Sequence, residues 1–600
     1  MCGVFCIASK HPVDHSLLHK SRSIKDLLKH RGPDDDGIWF DKNNGVIVGH
    51  TRLAVLDLTD SAKQPMSKNG ITLSYNGEIY NYKEIRSVLE SRGYVFTSTG
   101  DTEVVLYAWK EWKNKSFDMF DGMFSIVVYD GDTITCATDC FGEKTLYYTI
   151  DNDQIYISSE LSSLVKALDL KPCNDKILDT SFMLNGYIPS SETYYKNTYR
   201  MGPAEILEIK KSKIVNKTKY WKLPELDAGR FLNPKLSDRD ISLLRRSLIE
   251  SLESRLHTDA SMCLFLSAGV DSSLIAAILK LELNYDIDCI TASFGSDEVF
   301  DESSQAADVA DYLGLNHHST SVDMSSHNNI SNEIIDHYGQ PFDTVTTFAM
   351  SDMTRTVRDK YKVGLTGFGG DEVFFGYGKH VYAYKYRALM NSPEMVRSII
   401  GGIVNSINFN KNTRLNNWIR NLINVKDGER YLAMKLYPAI GALRNLPHYN
   451  NIINSAYDDV GDIVKYTYVN ELTNVMPNSR CISSDLGSMH SGFEFRTPFL
   501  NKKIINATHS LDYRAFMAQG QKSALRKILG KYLPDHLIDR PKRGFIFPQN
   551  HLIKQSIMSH NSKDLDISIT SLRGNNVKGD NWKRLAVRAE IINNFKLSYI

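Results

Sequence analysis

The sequence predicts two domains of different class, an α+β layered domain followed by an α/β domain with a parallel sheet and a helical C-terminal part. Three observations lead to this prediction. Residues 1–210 contain short β-rich segments with a few helical ones, residues 239–600 begin with alternating strands and helices, and the polar residues 211–238 lie between them. A chain of 600 residues, 42% of them hydrophobic, is long enough to build both cores.

The N-terminal region consists mainly of predicted strands and hairpins. Two segments, Tyr82–Arg92 and Thr102–Lys113, have apolar residues at helical spacing. The β-rich segments, bounded by turn residues, are Gly45–Leu58, Ile71–Tyr75, Ser125–Tyr129, Thr133–Thr138, Leu146–Ile150 and Gln154–Ser158. Many short strands with a few helices predict an α+β or layered domain over residues 1–210.

Residues 211–238 are polar, with scattered prolines and no sustained hydrophobic period. Such composition is typical of a connection between domains. We therefore predict a linker here, which leaves residues 239–600 as the second domain.

The second domain begins with strands and helices in turn. The predicted helices are Ser272–Leu281, Ser303–Leu313 and one around Ala349–Arg358, and residues from about 380 onward are mostly helical. The predicted strands are Met262–Leu266, Cys289–Phe294, His318–Val322 and Lys362–Thr366. This alternation indicates a parallel sheet with helices on both faces, and ligands bind such sheets at the carboxyl ends of the strands.

Composition excludes several classes of function. The formal net charge is +1, from 71 basic and 70 acidic residues, so no basic field indicates nucleic-acid binding. The eight cysteines contain no CxxC pair, which is typical of reduced thiols. No secretory leader and no run of about 18 apolar residues is present, so we expect a cytoplasmic protein without membrane spans.

The cysteine at position 2 is the first candidate for chemistry. Removal of the initiator methionine would give Cys2 both a thiol and a free α-amino group. Such an amine titrates at about 7.7–8.0 and a thiol at about 8.5, so the amine can accept the thiol proton near neutral pH. A Met-Cys start alone is a weak signal.

A turn after the first parallel strand has the features of an anion-binding loop. The segment Leu266–Ser273 (LSAGVDSS) combines small residues with hydroxyls at a helix N-terminus. Asp271 within such a loop would repel phosphates unless a divalent cation intervened, which indicates Mg²⁺. A second glycine-rich turn, Thr366–Glu372 (TGFGGDE), follows another strand and makes Asp371 a second Mg²⁺ ligand. The γ-phosphate loop of kinases and GTPases, GxxxxGK[ST], is absent from the sequence.

The first loop resembles the SGGxDSS loop of ATP pyrophosphatases. With Cys2, it makes the chain similar to glutamine-hydrolysing asparagine synthetases, whose N-terminal half is a class II glutamine amidotransferase. The resemblance covers nearly the whole chain. Its further motifs are Arg31–Asp34, Gly49–Leu53, Tyr75–Asn81, Gly100–Glu103, Asp139–Gly142, Asp485–Leu500 and Lys542–Phe545. It implies an αββα fold of the N-terminal-nucleophile type for the glutaminase domain and an ATP-dependent synthetase domain after the linker.

The resemblance implies roles for matching residues of the first domain. Cys2 is the nucleophile that forms a glutamyl thioester and releases ammonia. Asn76 and Gly77 form the oxyanion hole. The side chains that bind glutamine are Arg52 at its α-carboxylate and Glu78 and Asp101 at its α-ammonium group. For Arg31 and Asp34 a salt-bridged loop and a direct role are both open.

In the synthetase domain the resemblance implies attack of a carboxylate on the α-phosphate of ATP, giving an acyl-adenylate and pyrophosphate. Ammonia then displaces AMP. Lys542 matches the catalytic lysine, although its loop taken alone fits a basic surface turn. The ATP-binding set is Leu266, Ser267, Gly269, Asp271, Ser272, Ser273, Phe294, Thr366 and Gly367, of which Phe294 fits a strand core equally well.

For two further pairs of residues, the sequence leaves both a structural and a functional role open. Lys522 and Arg526, four residues apart on a predicted helix, fit either phosphate contacts or a solvated face. Glu494 and Arg496 lie between apolar residues and fit either a buried structural pair or a catalytic one.

Phe368 is the most consequential departure from the family pattern. Asparagine synthetases carry Glu or Asp at this position, and a phenyl ring cannot orient an acyl-adenylate or deprotonate ammonium. Ala268 replaces a glycine, which is acceptable at negative φ. Asn501 stands where the family usually has Asp.

The resemblance thus implies glutamine-dependent amidation of a carboxylate, with aspartate as the first candidate acceptor. Phe368 leaves a second acceptor class open, a uronic acid sugar or natural-product intermediate. A regulatory or binding homologue without synthesis is the third hypothesis. The expected partners are glutamine, ATP and the carboxylate, with no nucleic acid or membrane. The family suggests a homodimer and an apolar passage for ammonia between the sites.

Overall fold

The computed structural model describes residues 2–189, 191–229, 234–293, 301–322, 333, 335–343, 345–406, 426–436, 443–457, 461–540, 585, 587–589, 591–592 and 595–596. The predicted site residues Phe294 and Lys542 lie outside these residues, and so do 543–545 of the last motif.

The N-terminal domain is built from two antiparallel sheets. Its strands are β1 (Gly3–Ser9), β2 (Asp35–Asp41), β3 (Val46–Arg52), β4 (Met66–Lys68), β5 (Ile71–Ile79), β6 (Gly122–Tyr129), β7 (Ile134–Thr138), β8 (Tyr147–Asp151), β9 (Gln154–Ser158), β10 (Thr198–Arg200), β11 (Glu205–Lys210) and β12 (Lys213–Lys219). The first sheet has the order β10-β8-β9-β1-β3-β2 and the second β12-β11-β7-β6-β5-β4. Neighbouring strands run antiparallel in both.

Helices cover the outer faces of the two sheets. They are α1 (His15–Leu27), α2 (Tyr82–Ser91), α3 (Thr102–Trp112), α4 (Lys115–Met119), α5 (Leu161–Leu168) and α6 (Lys176–Asn185). Helices α1 and α5 contact the first sheet, and α3 contacts the second. Val4 and Cys6 of β1 share a core with Val127 of the facing sheet, whereas Phe5 and Ile7 lie in the core that contains α1. This alternation of side chains confirms the layered αββα prediction.

Strand β1 and helix α1 were not predicted, and together they bring Cys2 and Arg31 into the candidate site. Strand β1 is buried at every position, so it lacks the polar alternation that marks a half-exposed strand. The strand predicted over Gly45–Leu58 ends at Arg52. The polar segment predicted as a linker begins with β12, which extends the second sheet to Lys219.

The second domain is built on a sheet of parallel strands. They are β13 (Met262–Phe265), β14 (Asp288–Ser293), β15 (His317–Ser321), β16 (Val363–Leu365) and β17 (Glu494–Arg496), in the order β15-β14-β13-β16-β17. Each neighbouring pair is parallel, as the strand–helix alternation predicts. Strand β17 was not predicted because it contains only three residues inside a mostly helical region.

The described helices of this domain surround and extend the sheet. They are α7 (Asp238–Ser254), α8 (Val270–Leu281), α9 (Ser303–Leu313), α10 (Val345–Val357), α11 (Gly370–Val373), α12 (Gly378–Lys385), α13 (Arg387–Met390), α14 (Glu394–Ser406), α15 (Arg430–Leu436), α16 (Tyr449–Tyr457), α17 (Ile463–Asn470), α18 (Cys481–Met489), α19 (Lys502–His509), α20 (Ala515–Ala518), α21 (Ser523–Leu529) and α22 (Asp535–Ile538). A wide π-type helical stretch, Glu471–Arg480, joins α17 to α18. A capping box of Ser237 and Asp240 starts α7 and so ends the irregular connection between the domains.

Candidate active sites

Cys2 directly precedes β1, the strand between β3 and β9 in the first sheet. Its backbone nitrogen lies 2.8 Å from Oδ1 of Asn76, which is on β5 of the facing sheet. Its Sγ lies 3.9 Å from the carbonyl oxygen of Leu53, and the residue is 8% exposed. Burial raises the pKa of the Cys2 thiol, so a reaction at this sulfur would need a base that accepts its proton.

Strand β5 presents Asn76 and Gly77 toward the start of β1. Nδ2 of Asn76 donates to Oγ of Ser125 at 3.4 Å, and an amide nitrogen has a second hydrogen for a substrate oxygen. Gly77 has φ +141, and a Cβ there would lie 1.9 Å from the carbonyl oxygen of Met123. Only glycine fits this position, where the backbone approaches β6 closely.

Arg52, at the end of β3, organises the loop that follows it. Its NH1 donates to the carbonyl oxygen of Thr59 at 3.1 Å, and its NH2 donates to that of Asp57. The carboxylate of Asp57 in turn accepts from the backbone nitrogens of Thr99 and Gly100, at 2.8 and 3.3 Å. Arg52 is thereby connected to the turn that carries Asp101. Its contact with a glutamine carboxylate remains a prediction.

Asp101 is a buried carboxylate held from two sides. Its Oδ2 accepts from the hydroxyl of Tyr75 at 2.8 Å and from the backbone nitrogen of Ile79 at 2.9 Å. Burial raises its pKa to about 6, against the effect of these hydrogen bonds. Burial also raises the pKa of Glu78 well above its usual value, although Oε2 lies 3.5 Å from NH2 of Arg496.

The two glycine-rich loops of the second domain lie side by side. Strands β13 and β16 are parallel neighbours, so the loops after Phe265 and Leu365 meet at one sheet edge. The first loop is closed by Oγ of Ser272, 3.0 Å from both the nitrogen and Oγ of Ser267. The second loop approaches the first so closely that a Cβ on Gly370 would lie 2.6 Å from Cγ of Asp271.

Lys522 joins the two loops electrostatically. Its Nζ lies 2.5 Å from Oδ2 of Asp271 and 2.9 Å from Oδ1 of Asp371. The side chain is 8% exposed, which excludes the solvated-face alternative for this lysine. Burial alone would lower the pKa of Lys522. Attraction to the carboxylates of Asp271 and Asp371 is stronger, so the net effect is a raised pKa. Sequence reasoning left its role open because spacing on a helix cannot show which face is buried.

Asp271 and Asp371 have the chemistry of a Mg²⁺ site. Both are carboxylates, the ligand type that Mg²⁺ prefers, and both already lie beside one cation. The residues fit the ion, and binding of Mg²⁺ would require the Lys522 ammonium to shift toward other negative charge, such as a phosphate.

A cavity of about 610 Å³ opens at this sheet edge. Most of the predicted ATP-binding residues line it, namely Leu266, Ser267, Gly269, Asp271, Ser272, Thr366 and Gly367. Ser273 does not line the cavity and is buried in α8. Arg526 lines the cavity, but its NH1 donates to the carbonyl oxygen of Ile538 at 2.8 Å.

Phe368 forms part of an apolar wall of the same cavity. It packs against a buried cluster that includes Met350 and Phe495, and Phe265 packs on the same cluster. These four side chains all line the cavity. At position 368 the cavity wall is therefore a phenyl ring, while the carboxylates of Glu302 and Glu372 line other parts of the same cavity.

The other two departures are accommodated locally. Ala268 keeps a negative φ, as required for a residue with a Cβ. Nδ2 of Asn501 donates to Oδ2 of Asp121 in the first domain at 2.8 Å, and its Oδ1 accepts from the backbone nitrogen of Lys503. An aspartate at position 501 would instead repel Asp121.

The boundary between the domains contains buried ion pairs. Arg31 donates from Nε to the carbonyl oxygen of Cys2 at 3.1 Å, and its NH1 lies 2.9 Å from Oδ2 of Asp485. Lys144 Nζ lies 3.5 Å from Oδ1 of the same aspartate. Arg31 is therefore a salt-bridged residue that also contacts the candidate nucleophile.

Glu494 and Arg496 form a second buried pair at this boundary, with Nε of Arg496 2.8 Å from Oε1 of Glu494. Both side chains are fully buried. Arg496 also donates from NH1 to the carbonyl oxygens of Arg255 and His257. These contacts give the pair a structural role, and NH2 of Arg496 also lies 3.5 Å from Oε2 of Glu78, one of the predicted glutamine-binding residues.

A small cavity of about 10 Å³ lies between the two candidate sites. Its wall mixes charged side chains with apolar ones, and Phe368, Arg480 and Phe495 also line the large cavity. From the first domain it is lined by Glu143 and Lys144.

Among the described residues, none of the helices has the length and hydrophobicity needed to cross a lipid bilayer.

Two protein families match the chain in consecutive segments. The family described as glutamine amidotransferase domain matches residues 1–221, and the family described as asparagine synthase matches residues 243–573. These segments contain the two candidate sites.

Curated relatives extend over most of the chain. Asparagine synthetase 1 (glutamine-hydrolysing) of Bacillus subtilis is 26% identical over 583 residues, 93% of this chain and 88% of the relative. A putative asparagine synthetase 2 (glutamine-hydrolysing) of Methanocaldococcus jannaschii is 30% identical over 426 residues, 66% of this chain and 80% of the relative. Amidase chry2 of Gibberella zeae is 28% identical over 407 residues, 63% of this chain and 59% of the relative.

Proposed function

The chain belongs to the asparagine synthase family, as a glutamine-hydrolysing, ATP-dependent ligase, and on that premise we propose that it amidates a carboxylate through an acyl-adenylate. The observation that carries the proposal is the assembly of two half-sites in one chain. Cys2 lies against Asn76 in the first domain, while Asp271 and Asp371 share Lys522 in the second.

The first half-reaction takes place at Cys2. Its Sγ attacks the side-chain amide carbon of glutamine, and the α-amine of residue 2 accepts the thiol proton. Asn76 and the backbone of Gly77 stabilise the oxyanion. The α-ammonium group of residue 2 then passes that proton to the amide nitrogen, the carbon–nitrogen bond breaks and ammonia leaves. Water hydrolyses the thioester to glutamate and returns the thiol. Asp101 supplies the negative charge for the substrate's α-ammonium group.

The second half-reaction takes place in the large cavity. A carboxylate oxygen attacks the α-phosphorus of ATP, and pyrophosphate leaves. Mg²⁺ held by Asp271 and Asp371 would neutralise phosphate charge. Lys522 lies where its ammonium can move from these carboxylates to a phosphate oxygen. Ammonia from the first site attacks the acyl carbon, and AMP leaves.

A chain of contacts connects the half-sites. Arg31 donates hydrogen bonds both to the carbonyl oxygen of Cys2 and to the carboxylate of Asp485. Asp485 lines the small cavity between the sites, and Phe368 lines both that cavity and the large one. We propose that ammonia follows this route, past polar and apolar groups rather than through a purely apolar passage.

Aspartate is the first candidate acceptor, because it is the acceptor implied by the names of the synthetases that match most of the chain. The apolar wall of Phe265, Met350, Phe368 and Phe495 favours a second candidate, a carboxylate on a larger and less polar body. Such a wall offers contact area to a ring, whereas the charged groups of aspartate would need partners elsewhere in the cavity, such as Glu372 and Arg480.

An acceptor screen tests these proposals. The enzyme is incubated with glutamine, Mg·ATP and one carboxylate at a time, including aspartate, uronic acid sugars and aromatic acids, and pyrophosphate is measured. Aspartate-dependent pyrophosphate with asparagine formation would support the first candidate. Pyrophosphate with another acid but not with aspartate would refute it and support the second. Glutamate release without pyrophosphate for every acid would contradict synthesis and favour a regulatory or binding homologue.

A further inference from the structure

Three side chains with metal-binding groups converge at the domain boundary, outside both half-sites. His30 follows α1, and Glu160 directly precedes α5, both in the first domain. His337 lies in a helical turn at 335–338 of the second domain. One ligand atom of each residue lies within 4.8 Å of the others.

We call these three residues the His–Glu–His cluster. The distances between their side chains are close to those between ligands of a single metal ion. Nε2 of His30 lies 3.0 Å from Oε1 of Glu160, and the rings of His30 and His337 have centroids 4.5 Å apart. A tetrahedral ion with ligands at about 2.0–2.1 Å separates its ligand atoms by about 3.3 Å. His30 and Glu160 already have about this separation. His337 would have to approach by no more than about 1.5 Å, which a rotation of its side chain can provide.

The second oxygen of Glu160 is another reason to expect a ligand here. The side chain is 5% exposed, and Oε2, unlike the Oε1 that contacts His30 and Arg31, is buried without a hydrogen-bond partner among the described residues. A buried carboxylate oxygen without a partner costs free energy unless a bound group satisfies it.

Arg31, the cationic neighbour of Glu160, does not depend on Glu160 alone for a negatively charged partner. NH1 of Arg31 lies 2.8 Å from Oε1 of Glu160, but the same guanidinium also lies 2.9 Å from Asp485. Arg31 therefore keeps a buried carboxylate partner when Glu160 turns toward a metal ion.

The cluster also has room for a fourth ligand. A cavity of about 10 Å³ is lined by Glu160, His337 and Asp485, together with residues around them. That is about the volume that one water molecule requires. Three protein ligands and one water make a four-coordinate site of the open type.

We propose that His30, Glu160 and His337 bind one divalent transition-metal ion of the Zn²⁺ class. Two imidazoles and one carboxylate suit Zn²⁺, whereas Mg²⁺ and Ca²⁺ prefer oxygen ligands alone. The ion would join the two domains at a point one residue from Arg31, which contacts Cys2. This site goes beyond the proposed reaction, and its test does not depend on the acceptor.

Cobalt(II) is the probe for the full-length protein, because tetrahedral Co²⁺ with nitrogen ligands absorbs visible light far more strongly than octahedral Co²⁺. Excess Mg²⁺ keeps Co²⁺ away from Asp271 and Asp371. We expect one Co²⁺ per chain with tetrahedral bands, displaced by one equivalent of Zn²⁺, and a Zn²⁺-dependent rise in the thermal midpoint.

Matched variants locate the site. His30→Gln keeps an N–H that can donate to Glu160 but removes the imidazole ligand, and His337→Ala removes the ligand of the second domain. Loss of an outer-shell partner costs about 10–100-fold in affinity, so loss of a ligand should cost at least about a hundredfold. His318→Ala changes an exposed histidine on β15 and should bind Co²⁺ as the wild type does.

Two results would overturn the proposal. One is the absence of a tetrahedral spectrum at stoichiometric Co²⁺, which would leave the His30–Glu160 contact as a hydrogen bond only. The other is an unchanged spectrum and affinity in folded His30→Gln, which would place the ion elsewhere, for example on a cysteine. Circular dichroism and glutaminase turnover verify that each variant is folded.

Discussion

Cys2 depends on its neighbours for both position and reactivity. Its nitrogen is fixed by Asn76 from the opposite sheet, while Arg31 holds its carbonyl oxygen. The thiol is buried and its pKa is raised, so it is unreactive until a base receives its proton. Position and base are thus separate requirements, and substitutions can remove one without the other.

Replacing Cys2 with Ala should abolish glutamine use but preserve synthesis from ammonium, because only the thioester step needs the sulfur. We expect glutamate release to fall by at least about a thousandfold, the scale of losing a nucleophile. Ammonium-dependent pyrophosphate release with the acceptor found by the screen should stay within about twofold. Cys173→Ser, at a partly exposed thiol outside both sites, is the control. Loss of both activities in a folded C2A protein would contradict the two-site proposal.

The raised pKa of Asp101 predicts a pH dependence for glutamine binding. A carboxylate with a pKa of about 6 loses its charge as the pH falls through 6. We therefore expect the KM for glutamine to rise about tenfold per pH unit below 6 and to be constant above it.

Asp101→Asn tests the assignment, because an amide does not titrate. Its KM should be high and independent of pH between 5 and 8, values chosen to bracket the pKa of about 6. A wild-type rise in KM that persists in Asp101→Asn would assign the titration to another group, such as Glu78.

At the residue scale, the sequence was a better guide to which residues belong to the candidate site than to the contacts between them. The motif around Asp271 was sufficient to predict a loop at the edge of the parallel sheet, where the large cavity lies. It did not reveal Lys522, which reaches Asp271 from a position 251 residues later. Such a contact depends on how distant helices pack, and no local pattern encodes it.

At the scale of elements, the start of α11 is built around the carboxylate of α8. Gly370 is the first residue of α11, and its Cα leaves no space for a side chain beside Asp271. The glycine keeps the two carboxylates on neighbouring helices close enough to share Lys522.

Gly370→Ala should therefore displace Asp271 and impair the ATP-dependent step selectively. A displacement of about 1 Å in a reacting group can cost about a hundredfold in rate, and we expect pyrophosphate release to fall on that scale. Glutaminase turnover should be unchanged. Gly402→Ala is the matched control, because it is also a helical glycine and a Cβ there meets nothing within 4 Å. Equal effects of both variants would contradict this role for Gly370.

Helices and strands could be predicted from hydrophobic periodicity where one of their faces is exposed. Helix α9 spans Ser303–Leu313, as its spacing predicted. Strands β1 and β17 were not predicted, because the first is buried on both sides and the second has only three residues. Both lie at the site, where burial and short length remove the alternation on which strand prediction depends.

At the scale of the whole molecule, Asp485 is a buried anion at the boundary between the domains. It lies beside Arg31 and Lys144, whose side chains are 0% and 3% exposed. Removing one partner of a buried pair leaves an uncompensated charge, which costs about 3–5 kcal/mol.

Asp485→Ala should lower the thermal midpoint and separate the two activities. We expect more glutamate to be formed per pyrophosphate, because the contact route between the half-sites is disturbed while Cys2 remains. Asp153→Ala removes an exposed partner of Lys10 and should cost less than about 1 kcal/mol. A glutamate-to-pyrophosphate ratio equal to that of the wild type would refute the coupling role.

The position of β1 also has a consequence for biosynthesis. This strand is synthesised before both of its neighbours, β3 and β9, and β9 ends only at Ser158. A nascent chain therefore cannot complete the sheet around Cys2 until Ser158 has been synthesised, at about 5–20 residues per second. During that interval the Cys2 thiol lacks the strands that bury it. We therefore expect this thiol to be oxidised more readily before β9 is in place than in the folded domain, where the residue is 8% exposed.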